Sequence, residues 1–353
     1  MIKKEKFRFF LVGFLVAWLF LTPASWVTID ESRSFSWITA HHSWATATAS
    51  EGGYFRTADG VKLRWALWNG AANHNRNVTI ILLQGRAAFI EKNIDFITDL
   101  TLLGFKVFTF DWRGMGGSGR VLEHSQKNHI DSFDTYVKDL DQMLMHVVHP
   151  RTRHHKLVFL GVSLGGHLAL RYLHDYPGKV HGAILAAPML DIVTDPFPHW
   201  LTEPMVKVIC GLGFGESYAF GHGDFDPVKA DFAHNQETQD PKRFQKMMEA
   251  IRHWPQYVIG GPTFGWVKAA FDSIQKTRDP EYMQKITQPV LMFTAGKDRI
   301  VLTNQDSAIC QMMPRCSHKL YGDAFHNLLQ EIEPIRGAFL AETNRFIAEV
   351  IER

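Results

Sequence analysis

The sequence predicts an α/β fold, a mostly parallel, doubly wound sheet with a helical insertion. Three observations predict it. Short, uniformly apolar runs bounded by Gly, Pro or charge recur along the chain; helical patterns separate them; and late in the chain, across about ninety residues, strands stop while helices continue. Strands covered on both faces read as continuous apolar runs, and parallel neighbours need a helix-length crossover. With 353 residues, 46% hydrophobic and 21% charged, the chain has the apolar material for a large core and too little charge for disorder. Lys plus Arg number 38 against 36 Asp plus Glu, a net +2 with no long run of either sign, so nucleic acid is not an expected partner.

Residues 1–8 carry Lys3, Lys4, Lys6 and Arg8, and the uncharged run 9–27 follows. At 1.5 Å per residue its nineteen positions reach roughly 28 Å, about the hydrocarbon thickness of a bilayer. Residues 1–27 are therefore expected to be a membrane anchor or signal segment, with the anchor preferred because Trp18 and Trp26 suit an interface. Basic residues ahead of the span place the amino terminus in the cytoplasm and the rest of the chain outside it, at the inner or plasma membrane. Cleavage after Ala24, giving a secreted or periplasmic protein, is the alternative. Residues 28–53, rich in Ser, Thr, Ala and His, read as a linker; His41 and His42 lack accompanying ligands and read as solvated.

From residue 54 the core begins. Residues 61–68 alternate, and 78–83, 107–110, 157–160, 183–187, 290–294 and 318–321 are strand-like; 94–103, 133–146 and 167–176 are helical. The core is thus assigned to 54–190 and 286–353, and 191–285 to a helical cap over the carboxyl edge of the sheet, where such folds bind ligands. Within the cap, 241–253 is amphipathic, and Phe197, Trp200, Met205 and Phe214 are candidates for either an apolar wall or ordinary packing. Residues 334–351 place Ile335, Phe339, Leu340, Phe346, Ile347, Val350 and Ile351 at helical spacing, a final core-packed helix. Of three cysteines, Cys310 and Cys316 are close enough in sequence to pair and Cys210 reads as a small buried hydrophobe; no CxxC spacing supports a metal or redox site.

The strand 157–160 runs into Gly161-Val162-Ser163-Leu164-Gly165, and a helix follows. In Gly-x-Ser-x-Gly the serine is forced into a sharp turn at a strand end, with glycines where backbones approach too closely for a Cβ. Ser163 is accordingly the expected nucleophile. A serine hydroxyl needs a base, and the base an acid to orient it. Asp298, just past the strand 289–294, is the expected acid, and His326, on the loop after 318–321, the expected base; Asp323 is the rival acid. Two backbone N–H groups should face the developing oxyanion, Leu164 after the nucleophile and Arg86 on the loop after 78–83. The Arg86 side chain is either surface charge or a support for an anionic head group. The glycine-dense stretch 111–119 lacks the Gly-Lys-Ser/Thr ending of a phosphate loop and reads as a structural turn. No metal or organic cofactor is required by this chemistry.

Together Gln84-Gly85-Arg86, Asp111-Trp112-Arg113-Gly114-Met115-Gly116-Gly117-Ser118-Gly119, the Ser163 motif and the late Asp298 and His326 resemble the α/β-hydrolase family. The closest look is to bacterial lysophospholipases and monoacylglycerol lipases, with Gly260-Gly261-Pro262-Thr263-Phe264-Gly265-Trp266-Val267 and Phe325-His326-Asn327-Leu328-Leu329-Gln330-Glu331 similar to the lysophospholipase-like group. Gln84 departs from the His that many monoacylglycerol lipases carry there. The resemblance, from residue 54 to the end, implies a serine esterase with the triad Ser163, Asp298 and His326, acting through an acyl-enzyme on lysophospholipid or monoacylglycerol beneath a mobile cap. The expected partners are a lipid or other small ester and, through the amino terminus, a membrane, with no obligate protein partner evident. Alternatives that keep the fold are acyl transfer, amide cleavage of the aminopeptidase type, and a non-catalytic membrane-anchored binding protein.

Overall fold

The structure is a computed structural model that describes residues 29–30, 49–71, 76–194 and 196–351. Nine strands form one sheet: β1 Ile29–Asp30, β2 Glu51–Arg56, β3 Lys62–Trp68, β4 Val78–Leu83, β5 Lys106–Phe110, β6 Lys156–Val162, β7 Gly182–Ala186, β8 Val290–Ala295 and β9 Cys316–Tyr321. Their order is β1-β2-β3-β5-β4-β6-β7-β8-β9, antiparallel as far as the β3–β5 pairing and parallel from β5 to β9. This is the α/β-hydrolase fold that the sequence led us to expect.

The apolar runs form strands because both of their faces are covered. Along β4 the side chains alternate between two cores: Ile81 and Leu83 join Phe159, Leu185 and Met292 under the helices Phe133–Met143 and Leu164–Asp175, while Ile80 and Leu82 join Val158, Leu160 and Phe293 under Ile94–Leu102 and Glu333–Phe346. The final helix buries Phe339, Ile347 and Ile351, whereas Val350 turns outward. Ser132 caps the helix Phe133–Met143 by accepting from the Asp134 N–H, and Asp240 caps Pro241–His253 by accepting from the N–H groups of Lys242 and Arg243.

Three details depart from the sequence reading or add to it. Glu51–Arg56 is a strand and not linker, although Gly52 and Gly53 hide it, because pairing with β3 supplies the order its side chains do not. The insertion carries His199–Ile209, Pro241–His253, Phe264–Thr277 and Pro280–Met283 and contributes no strand to the sheet. Its helix Phe264–Thr277 buries Trp266, Ala270 and Phe271 in the main core, and its Ser273 Oγ lies 2.6 Å from His167 Nε2. Cys310 and Cys316 are joined as a disulfide, tying β9 to the helix Asp306–Met312, and Cys210 is only partly buried.

The expected inner- or plasma-membrane location is corrected. Among the described residues no helix is long and apolar enough to cross a membrane. The longest α-helices among the described residues have 14 residues, about 21 Å, and each turns a charged face to solvent. The proposed anchor at 1–27, most of the 28–53 linker, and His41 and His42 lie outside the described residues.

Candidate active site

β6 ends at Val162 and the next helix begins at Leu164, leaving Ser163 alone to reverse the chain at φ 52° and ψ −116°. That backbone is strained for any residue with a Cβ. It is held from three sides: the Ser163 N–H donates to Ala186 O at 3.0 Å, and Ser163 O accepts from the N–H groups of Met189 at 3.0 Å and His167 at 3.1 Å. The flanking glycines are sterically required. A Cβ on Gly161 would lie 2.6 Å from Gly165 O, and one on Gly165 would lie 2.0 Å from Leu83 O.

Asp298 stands just beyond β8 and His326 on the loop beyond β9, and the parallel register of these strands brings their ends together. The His326 Nδ1–H donates to Asp298 Oδ2 at 2.6 Å, and Asp298 Oδ1 accepts from the N–H groups of Ile300 at 2.8 Å and Val301 at 3.0 Å. Asp298 is fully buried and His326 nearly so. Burial by itself would lower the His326 pKa, yet the Asp298 hydrogen bond and charge, with Glu237 behind them, raise it. No hydrogen bond joins Ser163 Oγ to His326; such bonds are commonly long in free enzymes and shorten when substrate is bound. The rival carboxylate, Asp323, points to solvent and pairs with Lys297 Nζ at 2.8 Å.

Across from the serine, β4 leads into Gln84, Gly85 and Arg86. A Cβ on Gly85 would be 3.4 Å from Ser163 Cβ, so this loop lies against Ser163, and Ala87 follows at φ 61°. The Arg86 and Leu164 N–H groups have no protein acceptor among the described residues. The loop is anchored from behind. Gln84 Nε2 donates to Phe110 O at 2.8 Å and Asp111 Oδ1 at 3.1 Å, and Gln84 Oε1 accepts from Asn93 Nδ2 at 2.8 Å. Asp111 in turn takes Arg64 Nε at 2.7 Å, and Arg64 binds Glu91 through two bonds of 2.7 and 2.8 Å, all three side chains being buried. Gly116 and Gly117 wrap this ion cluster, since a Cβ there would strike the Asp111 carboxylate or the Arg64 side chain. The turn 111–119 thus has a structural task.

Sequence reasoning did not find Lys92, Glu237 or Glu91. Each is a charged residue in an unremarkable stretch, and only the tertiary structure brings it to the loop. Of the cap residues singled out earlier, Trp200 is 77% exposed and Phe214 58%, while Phe197 touches Phe220, which packs edge-on against Phe264.

A serine on a strained strand-to-helix turn at the carboxyl edge of this sheet, with a carboxylate-bonded histidine on the loop beyond β9, marks the molecule as an α/β-hydrolase. The family described as serine aminopeptidase, S33, matches residues 74–333, and the chain belongs to that family. It is 29% identical over 272 residues to a probable lysophospholipase L2 of Haemophilus influenzae, covering 76% of this chain and 83% of that one. It is 26% identical over 294 residues to lysophospholipase L2 of Escherichia coli K12, covering 81% and 84%. Among solved structures it resembles a soluble variant of the monoglyceride lipase of Saccharomyces cerevisiae bound to a substrate analogue, with TM-score 0.68, 17% identity and coverage of 88% and 97%; this last likeness speaks for the fold alone. Family and relatives make the chain an ester-hydrolysing enzyme of the α/β-hydrolase class.

Proposed function

We propose that the chain is a serine hydrolase that cleaves the acyl ester of single-chain lipids, lysophospholipid or monoacylglycerol, with Ser163 as nucleophile, His326 as base and Asp298 as orienting acid. The observation that carries this reading is the 2.6 Å bond between His326 Nδ1 and Asp298 Oδ2 beyond the ends of β8 and β9, on the same carboxyl edge of the sheet as the Ser163 turn. With Nδ1 protonated and held by Asp298, the Nε2 lone pair is the one left to accept the serine proton. Ser163 Oγ attacks the ester carbonyl, and the Arg86 and Leu164 amides stabilise the oxyanion. The alcohol leaves with the proton from His326. Water, activated by the same histidine, then releases the fatty acid. In this reading 191–285 is the cap that shelters the acyl chain.

The test is fatty-acid release from lysophosphatidylethanolamine and from monoacylglycerol by the purified protein, with Ser163→Ala alongside. Release lost on substitution supports the assignment; undiminished release by Ser163→Ala sinks it. The family description favours one second reading, hydrolysis of aminoacyl amides by the same residues. A panel of aminoacyl substrates discriminates, since an amidase would turn these over faster than either lipid.

A further inference from the structure

Buried and half-buried arginines in this protein are mostly neutralised by carboxylates. Arg64 has Glu91 and Asp111, Arg113 has Asp59 and Asp139, Arg171 has Asp134, Arg243 has Asp240 and Glu333, and Arg336 has Asp99. Arg120 instead directs its donors to four carbonyl bonds. Two cations, on and just after the loop that lies against Ser163, follow neither pattern. Arg86 Nη1 donates to Gly260 O at 3.0 Å, and its other N–H groups have no protein acceptor among the described residues. Lys92 Nζ donates to Ala87 O at 3.2 Å and sits 5.2 Å from the Phe89 ring centre. Neither has a carboxylate within 4 Å among the described residues. Both are ringed by protein but keep some contact with solvent, as groups lining a recess do.

These two side chains share one electrostatic neighbourhood with the site. Arg86 and Lys92 act on each other, and Glu237 acts on both of them and on His326. Glu237 is fixed there by the His326 loop: Asn327 N–H donates to Glu237 O at 2.9 Å, and Asn327 Nδ2 donates to Glu237 Oε2 at 3.2 Å. Two cations against one carboxylate leave a positive charge uncompensated at the loop that lies against Ser163. Withdrawing a charge from water without a partner is costly, and an anion that completed the arrangement would offset that cost.

We propose that Arg86 and Lys92 form a head-group subsite for the phosphodiester anion of a single-chain phospholipid whose ester carbonyl lies at Ser163. The pair thereby favours lysophospholipid over monoacylglycerol of the same acyl chain. This rests on the lipid-esterase reading above. Arg86 suits the task twice over: its amide faces the carbonyl, while its guanidinium, a side chain's length away, presents unused donors where glycerol would place the phosphate. Lys92 adds a point charge from the turn Ile90–Asn93 on the same loop. Water-stripping surroundings pull the Lys92 pKa down to about 8, a shift that a bound phosphate would relieve.

The experiment compares kcat/KM for lysophosphatidylethanolamine and for the matched monoacylglycerol in the full chain and in Lys92→Gln and Lys92→Arg. The same proteins are assayed on p-nitrophenyl butyrate with glycerophosphoethanolamine or inorganic phosphate as competitor. Charged hydrogen bonds of this kind lead us to expect a fall of about tenfold in the lysophospholipid-to-monoacylglycerol ratio for Lys92→Gln, mostly in KM, and a ratio restored by Lys92→Arg. Glycerophosphoethanolamine should inhibit the unsubstituted protein more strongly than Lys92→Gln. An equal fall on both lipids would reduce Lys92 to a structural role and overturn the subsite while leaving the esterase reading intact. Inhibition by inorganic phosphate as strong as by glycerophosphoethanolamine would overturn it in favour of a free-phosphate site. Cleavage of neither lipid by the unsubstituted protein would overturn both proposals.

Discussion

The Thr294 hydroxyl donates to Asp306 Oδ2 at 2.7 Å, in a buried pocket just behind the strand end that presents Asp298, and His318 Nε2 lies 2.8 Å from the same hydroxyl. Burial, reinforced by the negative charge of Asp298 and only partly offset by the Thr294 bond, pushes the Asp306 pKa up to about 7. Its ordinary value is near 3.8. Between these limits the folded chain holds a proton that the unfolded chain has lost. The contribution to stability is therefore complete below pH ~4, and is lost as pH rises to about 7. Asp306→Asn, which keeps the oxygen that Thr294 bonds, should abolish this slope. Urea denaturation at pH 5 and 8 should give a pH-dependent difference between variant and parent of about 2–4 kcal/mol. Equal pH profiles would show that Asp306 stays ionised in the fold.

His326 governs a second pH dependence. Because its pKa is raised above 6.5, the acid limb of kcat/KM should have its midpoint above that value, with activity rising as the imidazole loses its proton. Asp298→Asn removes the charge that raises it and frees the ring to adopt the wrong tautomer. We expect a loss on the order of 10⁴-fold in kcat, together with a displaced acid limb. A pH–rate series on a soluble ester reads both.

The Ser163 turn stores strain. Ser163→Gly should abolish ester hydrolysis yet raise the midpoint of thermal unfolding, since glycine adopts φ 52° without the Cβ clash, and the gain should be about 1 kcal/mol or slightly more. Ser163→Ala keeps the Cβ and should be inactive with little such gain. Calorimetry of the three proteins separates strain from the lost hydroxyl.

Glu91→Gln takes from Arg64 one of its two carboxylate partners among the described residues, in a site without solvent. Breaking a buried ion cluster in this way should cost about 3–5 kcal/mol in urea unfolding. It should also loosen the loop 84–89, because Asp111, the other Arg64 partner, also accepts from Ile90 N–H and Gln84 Nε2. A lower kcat at unchanged KM would report that the Arg86 amide has moved.

The parts of this molecule that can be read from sequence are those governed by neighbours in the chain. The apolar runs of β4, β6, β7 and β8 declare a sheet covered on both faces, and Gly161 and Gly165 declare the turn around Ser163, because local sterics leave few other uses for those patterns. Asp298 and His326 are readable as residues just past strand ends; their contact needed the β8–β9 register. The rest depends on tertiary structure. Glu51–Arg56 lacks a strand signature and owes its form to β3, and the ion cluster of Arg64, Glu91 and Asp111 spans three separate stretches. The convergence of Lys92 and Glu237 leaves no trace in either local sequence. The amino-terminal apolar run shows the opposite hazard, since length and hydropathy supported a membrane location that no described helix supports.

The missing side chain of Gly165 has a wider consequence. It lets the turn that bears Ser163 rest directly on the carbonyl oxygens of Leu83 and Gln84, from which the loop bearing Arg86 departs. Ser163 and the amides of Leu164 and Arg86 are therefore parts of one backbone block whose relative position is set by the pairing of β4 with β6. Reactivity and selectivity are separable inheritances here. Within the insertion, among the described residues, the helix His199–Ile209 makes no hydrogen bond to the loops of Ser163, His326 or Arg86 and can be rewritten, by evolution or by design, to admit a different acid or alcohol. Glu237 and Gly260, which hold the His326 loop and Arg86, cannot.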